Sequence, residues 1–100
     1  MKLLDFFREH NDEIIDFTKE LVLFESPSHD KAAVDRLGQF LVDELQYAGA
    51  QVEIFPRQEV GDIIYAAWNA NLPGKPILLM GHLDTVWPVG TLADMPLWEH

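Results

Sequence analysis

The stretch Ile77-Leu78-Leu79-Met80-Gly81-His82-Leu83-Asp84-Thr85-Val86 decides how the rest of this chain is read. Four consecutive apolar residues bounded by turn signals suit a strand buried on both faces, as in the sheet of an α/β protein. Gly81 follows, where the missing Cβ lets another group approach the backbone. His82 and Asp84 lie two apart, so in extended chain they point to the same side. Functional groups gather beyond the carboxyl ends of strands in open α/β sheets. A neutral imidazole suits Zn²⁺. A carboxylate two residues on can take the other ring N–H and fix the tautomer. The plain alternative is that Asp84-Thr85 is a capping or Asx-turn pair at a strand end. One His and one Asp also fall short of a zinc site, which takes three or four donors.

Upstream, residues 11–25 read as an amphipathic helix. Asn11 is its expected N-cap, Asp12 and Glu13 suit the positive end of the dipole, and Ile14, Phe17, Leu21 and Phe24 form one stripe. Residues 2–9 read as a turn or short helix with Leu3, Leu4 and Phe7 facing inward. Ser26-Pro27-Ser28 ends the helix, because the residue before proline avoids the helical region. A second helix is expected from about Asp30 to Ala48, capped by Ser28 or Asp30, with Val34, Leu37, Leu41, Leu45 and Ala48 on one face. Gly49 stands where a left-handed C′ residue belongs.

Three strands should follow. Val52 and Ile54 alternate with Gln51, Glu53 and Phe55, which predicts a half-exposed strand ending at Pro56. Gly61-Asp62 reads as a turn. Ile63 to Trp68 is nearly all apolar and reads as a strand covered on both faces. Residues 69–76 form a loop, and residues 77–80 form the third strand. A buried strand needs neighbours and covering helices. The third strand has little chain after it, which points to a piece of something larger.

The bulk properties bound the function. One hundred residues make one small domain. A net charge of −10 argues against a nucleic-acid partner and against an anionic membrane surface. The absence of cysteine removes disulfides and thiolate chemistry. Charges interrupt the first apolar run too early for a signal-peptide core, and no stretch approaches the roughly 20 apolar residues of a membrane helix. A cytoplasmic protein is the expectation.

The segment Gly81-His82-Leu83-Asp84-Thr85-Val86, with Ile77, Leu78 and Leu79 before it, resembles the metal-binding signature of a zinc exopeptidase and deacylase family. That family includes glutamate carboxypeptidase, acetylornithine deacetylase, succinyl-diaminopimelate desuccinylase and aminoacylase. Glu20-Leu21-Val22 through Ser26-Pro27-Ser28 resembles the family's first helix and its Ser-Pro-Ser/Thr break. A second helix ending at Gly49 and a Val-containing strand are likewise similar. Val86-Trp87-Pro88-Val89-Gly90-Thr91 and Met95-Pro96-Leu97 resemble the loop after the motif in the glutamate carboxypeptidase branch. The resemblance covers essentially the whole chain.

It implies an α/β fold: an incomplete three-layer zinc-exopeptidase-like catalytic domain, with two N-terminal helices and about three strands of a mixed sheet. Residues 1–100 would be the N-terminal part of that domain, without its remainder or the inserted dimerisation domain. His82 matches the first histidine ligand of a two-zinc centre, and Asp84 matches the catalytic aspartate that supports that histidine. The remaining ligands and the general base would lie beyond residue 100. The implied activity is hydrolysis of an amide bond in a small acylated amino acid or peptide. Zn²⁺ is the implied metal, with Co²⁺ or Mn²⁺ also suited to such donors, and the whole enzyme would be a homodimer. The rival reading is a non-catalytic truncated chain or interaction module that keeps only the first subdomain. On either reading the 100 residues alone should hydrolyse nothing.

Other polar residues read blandly. His10 is expected in solvent, His29 at the surface or as a cap, and Ser26 and Ser28 in a turn and cap. Glu25 reads as structural, and His100 carries no reading. Phe6, Phe7, Phe17 and Phe24 have core spacing. Trp87 reads equally as a wall of the site mouth or as a packed loop anchor.

Overall fold

The computed structural model describes residues 2–99, so His100 lies outside the described residues. The order is α1 (Leu3–Glu9), α2 (Asn11–Val22), α3 (Lys31–Tyr47), β1 (Gln51–Phe55), β2 (Ile63–Ala67) and α4 (Thr91–Asp94). Among the described residues this is a small mixed helix and strand domain with a two-stranded antiparallel sheet. No described helix is long and apolar enough to cross a membrane.

The core is built on α3. The Asp30 side chain accepts a hydrogen bond from the Ala33 amide at 3.1 Å, which caps the helix. A cap of this kind contributes about 1 kcal/mol. At the other end Gly49 takes φ +94° and its amide bonds to the Gln46 carbonyl, ending the helix in the left-handed turn its sequence predicts. Val34 and Leu37 are buried, Leu41 and Leu45 half-buried, and Ala48 is exposed. Ala33, Gly38 and Val42 are buried as well, so α3 is covered over more than one stripe. On one side Phe40 packs against Phe17 and Phe24, with ring centroids 5.9 and 5.0 Å apart. On another, β2 comes so near that a Cβ on Gly38 would stand 3.2 Å from Ile64 Cδ1.

The β1–β2 hairpin runs from the pair Gln51↔Ala67 to Phe55↔Ile63. Its connector is tied down on α3. Lys31 Nζ reaches Asp35 at 2.6 Å and Asp62 at 2.7 Å. The Asp62 amide donates to Asp35 Oδ1, and the Arg57 amide donates to Asp62 Oδ1. Trp68 Nε1 donates to the Ala48 carbonyl, fixing the far end of β2 to the end of α3.

Several expectations are corrected. Asn11 is the first helical residue of α2; His10 holds the cap position, without a side-chain bond to the amides of α2. His10 is half-buried, stacked on Phe6, with Nδ1 2.8 Å from the Phe6 carbonyl oxygen. It therefore joins α1 to α2 instead of standing in solvent. α2 ends at Val22, three residues short of the predicted end, because the chain must turn to enter Ser26-Pro27. Leu3, Leu4 and Phe7 are exposed: α1 packs chiefly on α2, and these side chains are left uncovered. Strand β2 is covered on one face only: Ile63 and Tyr65 are exposed, whereas Ile64 and Ala66 are half-buried against α3. The third strand does not form. Residues 77–80 have no ladder partner, and each side chain is at least 75 % exposed. An isolated strand has no backbone partners to hold it, and here neither edge of the hairpin reaches it.

Candidate functional site

The site is assembled by one short break, Glu25-Ser26-Pro27-Ser28, clamped on the segment that carries His82 and Asp84. Pro27 and Thr85 form a single parallel bridge. The Thr85 amide donates to the Ser26 carbonyl at 2.8 Å, and the Ser28 amide donates to the Thr85 carbonyl at 3.0 Å. Ser26 is buried, and its hydroxyl donates to the Leu83 carbonyl at 2.7 Å. Leu83, pointing inward between the two polar residues, comes close to Gly38 of α3. The alternation places His82 and Asp84 on the opposite side of the chain from Leu83.

His82 Nδ1 lies 3.1 Å from Asp84 Oδ1 and 2.9 Å from the Asp84 carbonyl oxygen. Both are acceptors, so Nδ1 is the ring nitrogen that donates to them. The ring is 82 % exposed, which leaves Nε2 open to an incoming group. The Asp84 carboxyl is held below the usual carboxylate range, first by a hydrogen bond from the Ser28 hydroxyl and then by its own backbone and His82. Ser28 has one hydroxyl proton and a second acceptor within reach, the Thr85 carbonyl at 3.1 Å. Asp84 is thus an ionised acceptor that orients the ring.

His82 stands at the rim of an apolar groove of about 500 Å³ between α2, α3 and the following loop. Leu21, Leu37, Leu41, Leu83 and Met95 line it, and Trp87 forms part of its wall. Of the two readings of Trp87, the structure favours the wall.

One imidazole with a carboxylate already bonded to it can supply one ligand, and a zinc site takes three or four. Among the described residues no three or more His, Cys, Asp or Glu side chains come together to hold a metal. His82 therefore fits as a single donor, and the rest of any such site would have to come from elsewhere. His29 is exposed beside the break, apart from this pair.

Sequence reasoning passed over Glu25 and Ser26 as site-building residues. Glu25 accepts from the Gly90 and Leu92 amides, and Ser26 fixes Leu83. Their partners lie 57 to 67 residues away, so no local signal joins them. The Glu25 carboxyl is lowered by those two amides, Leu92 foremost. Asp62 is lowered by Lys31 and then by the Arg57 amide.

These three carboxyls set an expected acid response. Each takes up its proton at lower pH in the folded chain than in the unfolded one, so between those values the unfolded state binds more protons. Their stabilisation is complete above the usual carboxylate range and is lost as pH falls through the lowered folded values. Thermal melts should show a falling midpoint over that acid range, shallower in Asp62→Asn than in the unsubstituted chain. Equal slopes would mean that the Asp62 contacts do not persist in solution.

No family model, no curated protein and no solved structure matches the chain.

Proposed function

We propose that His82 is one ligand of a divalent-metal centre, with zinc the first choice, in an amidohydrolase of the glutamate carboxypeptidase type. The observation that carries this reading is the His82–Asp84 pair. An ionised carboxylate accepts a hydrogen bond from Nδ1–H and leaves Nε2 exposed, which is how a metal-binding histidine is ordinarily prepared. The resemblance of residues 77–86 to the zinc-exopeptidase signature supports the same assignment.

The other donors and the general base would come from chain beyond these residues, in a larger three-layer domain of the zinc-exopeptidase type. Two features support that larger domain. Ile77, Leu78, Leu79 and Met80 lie exposed on both sides of an unpaired segment, a state that a sheet with covering helices would relieve. The radius of gyration is 15.9 Å, above the ~13 Å of a closed domain of this length. Zinc in such a centre would polarise the scissile carbonyl and lower the pKa of a bound water. The substrate would be a small acylated amino acid or peptide, and the enzyme a cytoplasmic homodimer.

The test is metal analysis and amide hydrolysis of the whole protein to which these residues belong. Removing metal with a chelator should abolish hydrolysis, and Zn²⁺, Co²⁺ or Mn²⁺ should restore it. The 100 residues alone should show no hydrolysis. Full activity after exhaustive chelation would overturn the reading.

A further inference from the structure

We propose that Glu25 is the positioning residue of the loop after the metal-ligand motif: its carboxylate holds residues 86–92 so that Trp87 walls the apolar groove beside His82. The role of that groove in substrate binding rests on the amidohydrolase reading above; the anchoring does not.

The geometry is specific. Glu25 Oε2 accepts from the Gly90 amide at 3.0 Å, and Oε1 accepts from the Leu92 amide at 2.8 Å, with a longer contact from Gly90 at 3.2 Å. Both oxygens of one half-buried carboxylate are thus spent on one turn, 65 to 67 residues along the chain. The turn is built to present those amides. Gly90 takes φ +101°, a conformation that disfavours any residue with a Cβ. The Thr91 hydroxyl and amide both close on the Pro88 carbonyl, at 2.6 and 3.2 Å. Among the described residues Glu25 is the side chain that reaches these two amides. The hydrogen bonds are charge-assisted, roughly twice as strong as neutral ones.

The position of Glu25 explains why one residue can set both the loop and the motif. It directly precedes Ser26, which fixes Leu83, and stands three residues before Ser28, which meets Thr85. The same backbone that places His82 therefore places the loop, and the distance between Trp87 and His82 is fixed by a shared frame. Trp87 and Leu92 line the groove together with Leu21 and Leu37 from the helices. With the anchor gone, the helices and the motif remain while the wall is released. A glutamine could still accept at one oxygen. Its amide N–H would meet an N–H donor at the other, so E25Q should hold the loop less well than the native residue and better than E25A.

The experiment compares amide hydrogen exchange in the whole protein with that in E25A and E25Q, resolved at Gly90 and Leu92. Exchange there should rise about tenfold or more in E25A, with E25Q between, while the α3 amides of Val34, Leu37 and Val42 keep their native rates. With an N-benzoyl amino acid as the amide probe, KM in E25A should rise with kcat kept, the pattern of lost binding. Unchanged exchange at Gly90 and Leu92 overturns the proposal, as does an equal rise across α3, which would make Glu25 a general stabiliser. Loosened amides with an unchanged KM overturn the link to the groove. No hydrolysis of any amide by the unsubstituted protein counts against the amidohydrolase reading instead, and the exchange rates then decide the anchoring by themselves.

Discussion

In the whole protein, His82→Ala is expected to lose bound metal and nearly all amide hydrolysis while leaving the fold intact. Asp84→Ala should be milder, falling about 10–100-fold in metal affinity or activity, the range seen when the partner of a ligating histidine is removed. The ordering follows from the roles. His82 offers the donor nitrogen, and Asp84 supplies the acceptor that holds the Nδ1–H and so orients the ring with Nε2 facing outward. The fold should be spared because the His82 ring is 82 % exposed, and exposed substitutions usually change stability by no more than about 0.5 kcal/mol. Metal content by mass spectrometry, the rate of hydrolysis and the thermal midpoint separate these effects. Full metal and full rate in His82→Ala would make it an ordinary exposed histidine.

Gly61→Ala is expected to give the largest loss of stability of any single-atom addition to the connector. A Cβ at position 61 would stand 2.3 Å from Val34 Cγ1 and 2.9 Å from Val34 Cβ. Neither partner can withdraw easily. Val34 is buried in α3, and the connector is held by the Asp62 amide on Asp35 and by Lys31. Overpacking of this kind costs about 1–3 kcal/mol, and the short contact places Gly61→Ala near the top of that range. Denaturant unfolding measures it. Adding Val34→Ala should recover part of the loss, because it removes the atom the new methyl meets, and a double-mutant cycle would show the two positions coupled. A Gly61→Ala protein as stable as the native one would mean that the connector does not sit on Val34.

How much of this was legible depended on how far along the chain the deciding contacts reach. α3 was readable almost to the residue because its signals are local: Asp30 bonds three residues ahead, and Gly49 closes the last turn. The hairpin strands were placed by alternation and by the Gly61-Asp62 turn. Residues 77–80 carry the same local signal for a strand, but a strand is completed by its neighbours, and no described strand lies beside them. Burial of Leu3, Leu4 and Phe7 failed for a related reason: their helical spacing says which side is apolar, not whether anything covers it. His82 and Asp84 were singled out from two residues and a glycine, and their mutual geometry followed from alternation. The clamp that holds them was not readable. Ser26 looks like a turn residue and Glu25 like a structural residue at a helix end until their partners at 83, 90 and 92 are known.

The single bridge between Pro27 and Thr85 also orders events in time. It closes a loop that contains all of α3 and both strands of the hairpin. Closing so long a loop from an unstructured chain carries a large entropic penalty, which shrinks once the intervening residues have collapsed into a helix and a hairpin. The helix and hairpin should therefore come first in folding, and the cradle for His82 last. During synthesis, the Glu25-Ser26-Pro27-Ser28 break emerges early and must wait for nearly sixty further residues before it meets its counterpart.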